Sequence, residues 1–171
     1  MRFGLLGPLP VWNDRGAAVT IPGAKVRALL ADLLVHAGKP MSADRLVEDL
    51  WNGDAPPKAS GVLHSKVSQL RRALEQAEPR GRDLVASTPA GYVLRIDADA
   101  IDAERFAALV AEARARAELA ARAAGLTDAL ALWRGPALAD HADEPFALPL
   151  ARRLEEQRVA ALKDLVDACP R

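Results

Sequence analysis

The spacing of apolar residues changes twice within the first hundred residues. Short apolar runs set between turn residues predict a small antiparallel sheet at the start of the chain, in RFGLLG, PLPVW and AAVTI. From Ala24 the apolar residues recur every three or four positions, which predicts two short helices, in AKVRALLADLLVHAG and ADRLVEDLW. Ser42 stands at the N-cap position of the second helix, while Gly38 and Gly53 act as stop signals.

A third amphipathic helix is predicted over GVLHSKVSQLRRALEQ, residues 61–76, with Pro57 tolerated at a first helical position before it. At about 100° per residue, one face of this helix is an apolar stripe made of Leu63, Val67, Leu70 and Leu74. The opposite face holds small residues, hydroxyl and amide groups and cations: Lys58, Gly61, Ser65, Ser68, Gln69 and Arg72. The flanks of this face carry further basic residues: His64 and Arg71 on one side, Lys66 on the other.

Strand-like alternation returns in LVASTPAGYVLRI, where a Pro and a Gly in the middle predict a hairpin. The later part of the chain is rich in Ala and shows helical periodicity. There, DAERFAALVAEARARAELAARAAG and LTDALALW are interpreted as an antiparallel helix pair, and LARRLEEQRVAALKDLVDA as a final helix. The chain is therefore predicted to be mainly α with small β-sheets. A winged helix-turn-helix domain, residues 1–97, is followed by an α-helical tetratricopeptide-like domain, residues 98–171.

The formal net charge of zero conceals two unlike halves of the chain. Residues 1–97 carry 13 Lys and Arg against 10 Asp and Glu, whereas residues 98–171 carry 10 against 13. Residues 58–74 contain no acidic residue, although a generic surface helix mixes both signs. This asymmetry favours a first half that faces nucleic acid. An ordinary solvated helix remains the alternative when the third helix is taken alone.

The outer face of the third helix has the side chains that a helix in the major groove of DNA needs, because Ser and Gln hydrogen-bond base edges and Arg reaches guanine. The residues expected to face bases are Ser65, Ser68, Gln69 and Arg72. The residues expected to contact the phosphate backbone from this region are Lys58, His64, Lys66 and Arg71.

No catalytic or metal-binding pattern is recognised in the sequence. The three histidines lie outside any HExxH motif, and the single cysteine has no second cysteine with which to form a zinc site. There is no phosphate-binding loop, and DHADE is interpreted as a polar loop between helices. We therefore predict a protein that is not an enzyme and needs no cofactor. Because no apolar run approaches the ~20 residues of a membrane helix and no signal peptide is recognised, we expect a cytoplasmic protein without a membrane partner.

Several motifs in order resemble a known family, the Streptomyces antibiotic regulatory proteins (SARP). The segments MRFGLLGPL, RALLADLLVHAGKPMSADRLVEDLWNGDAPPKA, LHSKVSQLRRAL and PAGYVL resemble its DNA-binding domain. The segments IDAERFAALVAEARA, ALALWRGPALAD and RRLEEQRVAAL resemble the bacterial transcriptional activation domain that follows. The resemblance implies an OmpR/PhoB-type winged helix and a transcriptional activator that binds direct repeats near a promoter −35 element. It also implies contact with RNA polymerase holoenzyme and control of secondary-metabolite (antibiotic) biosynthesis genes.

The chain departs from this family in two ways. Many members carry an Arg just before the Pro that precedes the Gly-Tyr pair, where this chain has Thr88. Ser87 and Thr88 are therefore the side chains expected to hydrogen-bond a phosphate from the wing. The activation domain of relatives also continues through further helix pairs, so this chain is expected to expose a helical face that a next repeat would cover.

A different class of function also fits a winged helix. In this alternative the chain is a helical protein-interaction module whose winged helix docks a protein partner and not DNA. The acid-free outer face of residues 58–74 favours the DNA-binding hypothesis. Binding to direct repeats predicts head-to-tail self-association on DNA, without a two-fold axis. A helical spacer or a dimerisation element remains the alternative interpretation of the second half.

Overall fold

A computed structural model describes residues 1–169 of the chain as a set of helices with short strands. The strands are β1 Arg2–Phe3, β2 Val11–Trp12, β3 Ala18–Val19, β4 Val85–Thr88 and β5 Gly91–Leu94. The α-helices are α1 Ala24–Val35, α2 Ala43–Trp51, α3 Ala59–Ala77, α4 Asp102–Ala115, α5 Leu119–Leu130 and α6 Leu148–Ala168. Two 3₁₀ turns span Gly81–Leu84 and Ala98–Ala100. The prediction of a mainly helical chain with small β-sheets is confirmed.

The chain divides into two compact units. The first contains residue 1, residues 11–96 and residues 143–148, while the second contains residues 2–10, residues 97–142 and the chain from residue 149 onward. One boundary between the units falls between residues 96 and 97, beside the boundary predicted after residue 97. The segments 2–10 and 143–148 belong to units other than the ones a single cut at that residue assigns them to. The division into two functional domains at residue 97 stays a prediction.

The core of the first unit is built by α1, α2 and α3. The predicted stripe of α3 is confirmed, since Leu63, Val67, Leu70 and Leu74 are each at most 1 % exposed. The apolar residues of α1 are buried as their spacing predicts: Val26, Leu29, Leu30, Leu33 and Leu34. Ser42 caps α2 as expected, because its hydroxyl accepts the backbone N–H of Arg45 at 3.1 Å.

The start of α3 differs from the sequence prediction. Lys58 is the N-cap and has a left-handed backbone, with φ of 56°. Because this conformation interrupts a right-handed helix, α3 begins at Ala59 and Pro57 lies in the preceding turn and not at a first helical position. Lys58 therefore lies before the first turn of α3, whereas the helical spacing of the sequence predicts it on the outer face of the helix.

The predicted hairpin is present and is called the wing here, residues 85–94. Strands β4 and β5 pair antiparallel, with Ser87 opposite Tyr92 and Thr88 opposite Gly91. The wing is hydrogen-bonded to Met41, two residues before α2. Met41 and Tyr92 exchange backbone N–H···O bonds of 2.7 and 2.9 Å. Gly91 makes this approach possible: its φ is 133°, and a Cβ there would lie 2.0 Å from the Met41 carbonyl oxygen.

The second unit contains the helices α4, α5 and α6 together with the N-terminal segment. The predicted helix pair exists, but the break lies at residues 116–118 and not between Gly125 and Leu126, so that prediction was wrong. Gly125 is an interior residue of α5, and a Cβ there would stand 2.9 Å from the Cβ of Ala113 on α4. This glycine allows two helices to pack closely and does not end one. The predicted final helix is confirmed as α6.

The segment 2–10 is part of the second unit through its backbone. Phe3 forms a parallel bridge with Ile101, and the carbonyl oxygens of Leu5 and Leu6 accept the backbone N–H groups of Leu138 and Arg134, both at 2.8 Å. Within residues 1–169, no helix is long and apolar enough to cross a membrane.

Candidate nucleic-acid interface

The four residues predicted to face bases lie on the exposed side of α3, and this set is called the reading face: Ser65, Ser68, Gln69 and Arg72. The stripe on the opposite side of the helix is fully buried, so the helix cannot rotate without exposing its core side chains. The side-chain amide of Gln69 donates to the hydroxyl of Ser65 at 3.4 Å, one turn earlier. In the described part of the chain, Ser68 and Arg72 have no side-chain hydrogen bond or ion pair, which leaves them available to a ligand.

The charge of α3 is uncompensated over most of its length. The helix has no acidic residue in its first turn, and its first carboxylate is Glu75 near the C-terminal end. Glu75 lies 3.8 Å from the guanidinium of Arg82, so part of its charge is already paired. A helix whose N-terminal turns carry cations and no carboxylate presents a surface that attracts anions.

Three of the residues predicted to contact phosphates flank the reading face. Lys58 and His64 are exposed and Lys66 is half-buried. None of the three forms a side-chain hydrogen bond or an ion pair with another residue among residues 1–169. Their positions at the N-cap and along both edges of α3 fit contacts with two phosphate strands on either side of a groove.

Arg71, which was also predicted to contact phosphate, has a different environment. Its Nε donates to the carbonyl oxygen of Val85 at 2.9 Å, and its Nη2 donates to the hydroxyl of Ser87 at 2.8 Å. The guanidinium carbon lies 5.8 Å from the ring centroid of Tyr92. Arg71 is therefore directed at both strands of the wing. Helical periodicity cannot reveal this contact, because the partners are 14 to 21 positions away along the chain.

The two wing hydroxyls predicted to meet phosphates both have partners inside the protein. The hydroxyl of Thr88 donates to the carbonyl oxygen of Gly91 at 3.0 Å and so closes the turn. The hydroxyl of Ser87 accepts from Arg71 and keeps its own hydrogen. Since a phosphate oxygen needs a donor, Ser87 retains a group to offer, whereas the hydrogen of Thr88 is already engaged.

A buried carboxyl group lies between helices α1 and α2. Asp32 on α1 is fully buried, and burial raises its pKa from 3.8 to about 8, helped by the nearby Asp49 carboxylate of α2 and opposed by Arg45. Arg45 is itself paired with Asp49 at 3.1 Å. Nδ1 of His36 lies 3.1 Å from the Asp32 carboxyl but hydrogen-bonds its backbone carbonyl oxygen. A protonated Asp32 can donate to Asp49, which an ionised one cannot.

Among residues 1–169, no group of three or more His, Cys, Asp or Glu side chains is arranged to hold a metal ion. The segment DHADE, residues 140–144, forms turns. His141 is 9 % exposed, and the other four residues are half-buried or exposed.

Two family models match the chain. The model described as "Transcriptional regulatory protein, C terminal" covers residues 19–94, and the one described as "Bacterial transcriptional activator domain" covers residues 101–170. The first match contains α1, α2, α3 and the wing, and the second begins just before α4. The two predicted kinds of domain are therefore matched in the predicted order.

The chain is similar to curated transcriptional regulators. The transcriptional regulatory protein EmbR of Mycobacterium tuberculosis is 40 % identical over 166 residues, which cover 94 % of this chain and 42 % of the relative. The transcriptional regulator RedD of Streptomyces coelicolor is 33 % identical over 172 residues, which cover 98 % of this chain and 49 % of the relative. The chain thus spans about half the length of these relatives.

A solved structure shares the fold. The structure of Mycobacterium tuberculosis EmbR in complex with a low-affinity phosphopeptide superposes with a TM-score of 0.87 at 37 % sequence identity. The match covers 98 % of this chain and 45 % of that one. The winged-helix and helical architecture predicted from the sequence is confirmed by this likeness together with the two family models.

Proposed function

This chain belongs to the SARP-type family of transcriptional regulators, and we propose that it activates transcription by binding specific promoter DNA through α3. The observation that carries the proposal is the division of α3 into two faces. One face is buried to within 1 % exposure, and the other presents hydroxyl, amide and guanidinium groups without a carboxylate before Glu75. A surface of this kind fits a major groove, where base edges offer donors and acceptors and phosphates line both sides.

The reading face supplies the base contacts in this proposal. Gln69 offers an amide that pairs with adenine in a bidentate way, and Arg72 offers a guanidinium that pairs with guanine. The hydrogen bond between Gln69 and Ser65 restrains the glutamine side chain before DNA arrives. Ser65 and Ser68 are short enough to let the helix approach the floor of the groove.

The phosphate contacts come from Lys58, His64 and Lys66, with the hydroxyl of Ser87 as a donor from the wing. Thr88 closes the wing turn and is assigned no phosphate contact, although the sequence had suggested one. Because each neutralised phosphate releases counterions, binding should weaken as salt rises, by a slope of roughly 0.9 per contact in a double-logarithmic plot.

Further features of the proposal come from the family. The resemblance implies binding to direct repeats near a promoter −35 element, which would correspond to head-to-tail self-association of two copies on DNA. The second unit would then contact RNA polymerase holoenzyme, and the targets would be secondary-metabolite (antibiotic) biosynthesis genes. In this proposal the protein works in the cytoplasm, catalyses no reaction and is assigned no cofactor.

The experiment that tests the proposal is footprinting followed by mobility shifts. The protein is footprinted on the promoters adjacent to its gene, and the protected sequence is titrated in 50 to 200 mM salt against a scrambled duplex. We expect two protected sites in the same orientation and tighter binding to them than to the scramble. The absence of any shift at low salt would instead favour the second candidate, a winged helix that docks a protein partner. A two-fold dimer on a palindrome would contradict the direct-repeat arrangement.

A further inference from the structure

Two consecutive arginines of α3 have opposite environments. Arg72 is exposed on the reading face and makes no side-chain hydrogen bond or ion pair in the described chain. Arg71 is half-buried and donates two hydrogen bonds, to Val85 and Ser87, while its guanidinium approaches the ring of Tyr92. One arginine is therefore available to DNA, and the other is occupied by the wing.

The partners of Arg71 lie on both strands of the wing. Val85 and Ser87 are two residues apart on β4, a spacing that puts their carbonyl groups on one edge of the strand and their side chains on one face. Tyr92 on β5 is the cross-strand partner of Ser87. A single guanidinium on α3 thus contacts a backbone oxygen, a hydroxyl and an aromatic ring of the hairpin.

Other attachments of the wing lie at its base and near its turn, and one of them is the Gly38 N–H, which donates to the carbonyl oxygen of Leu94 at 2.9 Å. At its base, the turn at Gly81 lies so close to α3 that a Cβ there would be 2.1 Å from the carbonyl oxygen of Leu74. At its far end, Tyr92 is bonded to Met41 before α2. The Arg71 contacts join α3 to β4 at Val85 and at Ser87, which lies opposite Tyr92.

We propose that Arg71 is a positioning residue, which sets the place of the wing beside α3 on DNA, and is not a phosphate contact. This inference rests on the proposed function. The geometry requires a guanidinium: Nε and Nη2 donate in one plane to two acceptors on β4 while the planar group faces an aromatic ring. A lysine ammonium keeps the charge but cannot make this planar pair of bonds. Substituting lysine for Arg71 therefore separates the effect of the positive charge from the effect of the planar bonding geometry.

The first test compares Arg71→Lys and Arg71→Ala with the flanking cation variants Lys66→Arg and Lys66→Ala. Affinity for the footprinted repeat is measured across a salt series. We expect Arg71→Lys to lose about tenfold in affinity with a salt slope equal to that of the wild type, because without its two bonds the wing occupies the position that fits DNA less often. Lys66→Arg should bind like the wild type, whereas Lys66→Ala should lose roughly one unit of slope.

The opposite pattern at position 71 overturns the proposal. If Arg71→Lys binds like the wild type while Arg71→Ala loses about one unit of slope, Arg71 acts as a point charge toward a phosphate. The wild type itself reports on the proposed function. If it prefers no sequence, that function fails before the variants are compared, whereas a wild type that binds specifically leaves the role of Arg71 to be decided by the variants.

Hydrogen exchange of the free protein tests the same contact without DNA. Arg71→Lys should speed the exchange of amides in residues 85–94 and leave those of α1 unchanged. Ser87→Ala, which removes one acceptor, should do the same to a smaller extent and should add little to Arg71→Lys in the double variant. Equal exchange in wild type and Arg71→Lys, or fully additive effects of the two changes, would contradict a positioning role. Arg72→Ala is the matched control and should leave wing exchange unchanged.

Discussion

The guanidinium of Arg134 lies 2.7 Å from a carboxylate oxygen of Asp102, and together these two side chains hold the N-terminal segment in the second unit. The Asp102 carboxylate also accepts the backbone N–H of Leu5 at 2.6 Å. Arg134 donates to the carbonyl oxygen of Pro8 at 2.9 Å and fills the space beside Gly4, where a Cβ would lie 2.3 Å from its Nη2. The backbone of the segment from Gly4 to Pro8 is thus held by two charged residues far along the chain.

Neutralising this carboxylate should loosen the segment. In Asp102→Asn the oxygen that pairs with Arg134 loses its charge, and the amide cannot accept from Leu5 as strongly. We expect the free energy of unfolding to fall by about 2 kcal/mol in urea denaturation, since a hydrogen-bonded pair of charges with little exposure is broken. The exchange of the Leu5 and Leu6 amides should rise at the same time.

Asp99→Asn is the matched control for that change. Asp99 is exposed in the turn before α4, and its substitution should alter the unfolding free energy by no more than about 0.5 kcal/mol. An equal loss in both variants would mean that general charge, and not the contact with Arg134, stabilises the second unit.

The wing should tolerate no side chain at Gly91. In Gly91→Ala the added Cβ meets the Met41 carbonyl oxygen at 2.0 Å, and a φ of 133° is unfavourable for alanine. We expect a loss on the order of 2 kcal/mol in unfolding free energy and the loss of protection at the Tyr92 amide. The control is Gly61→Ala in α3, where a Cβ meets open space and alanine should stabilise the helix by about 0.8 kcal/mol. Similar destabilisation by both substitutions would contradict the close approach of Met41 to the wing.

The pH dependence of stability should reflect the buried Asp32. Its folded pKa of about 8 lies above the ordinary 3.8, so between these values it is protonated in the folded state and ionised in the unfolded one. Unfolding then releases a proton, and the contribution to stability is lost as pH rises from about 4 to about 8. The unfolding free energy of Asp32→Asn should fall less over this range than that of the wild type. Asp54→Asn, an exposed control, should retain the wild-type slope, and a slope unchanged in Asp32→Asn would contradict the assignment.

The spacing of apolar residues and the chemistry of helix ends predicted the parts of the fold that are set within a single helix. The stripe from Leu63 to Leu74 and the cap at Ser42 follow from spacing and from the chemistry of a helix end, and both are present. The break between α4 and α5 was misplaced after Gly125, whereas the role of this glycine depends on the neighbouring Ala113 of another helix. A glycine has the same sequence signal in both roles, so only packing distinguishes them.

The candidate site, like the fold, was predictable where it depends on helical periodicity and not where it depends on packing between elements. Periodicity identified which residues of α3 are exposed, and Ser65, Ser68, Gln69 and Arg72 are all on the surface. It placed Arg71 on the flank of that face but did not reveal its bonds to the wing, because a helical wheel gives an angle and no information about what packs at that angle. Likewise the buried Asp32 was unremarkable in sequence, since its environment arises from the contact of α1 with α2.

Base recognition should depend on Gln69 in a way that phosphate contacts do not share. In Gln69→Ala the amide that faces the groove is lost without any change of charge. We therefore expect about tenfold weaker binding to the footprinted repeat, an unchanged salt slope, and unchanged affinity for scrambled DNA. Competition with duplexes substituted at each base pair should show relaxed preference at one position. Gln157→Ala, an exposed glutamine of α6, should leave all these quantities at wild-type values. If Gln69→Ala instead weakens binding equally to the repeat and the scramble, Gln69 does not read a base, and the groove is recognised by other residues of α3.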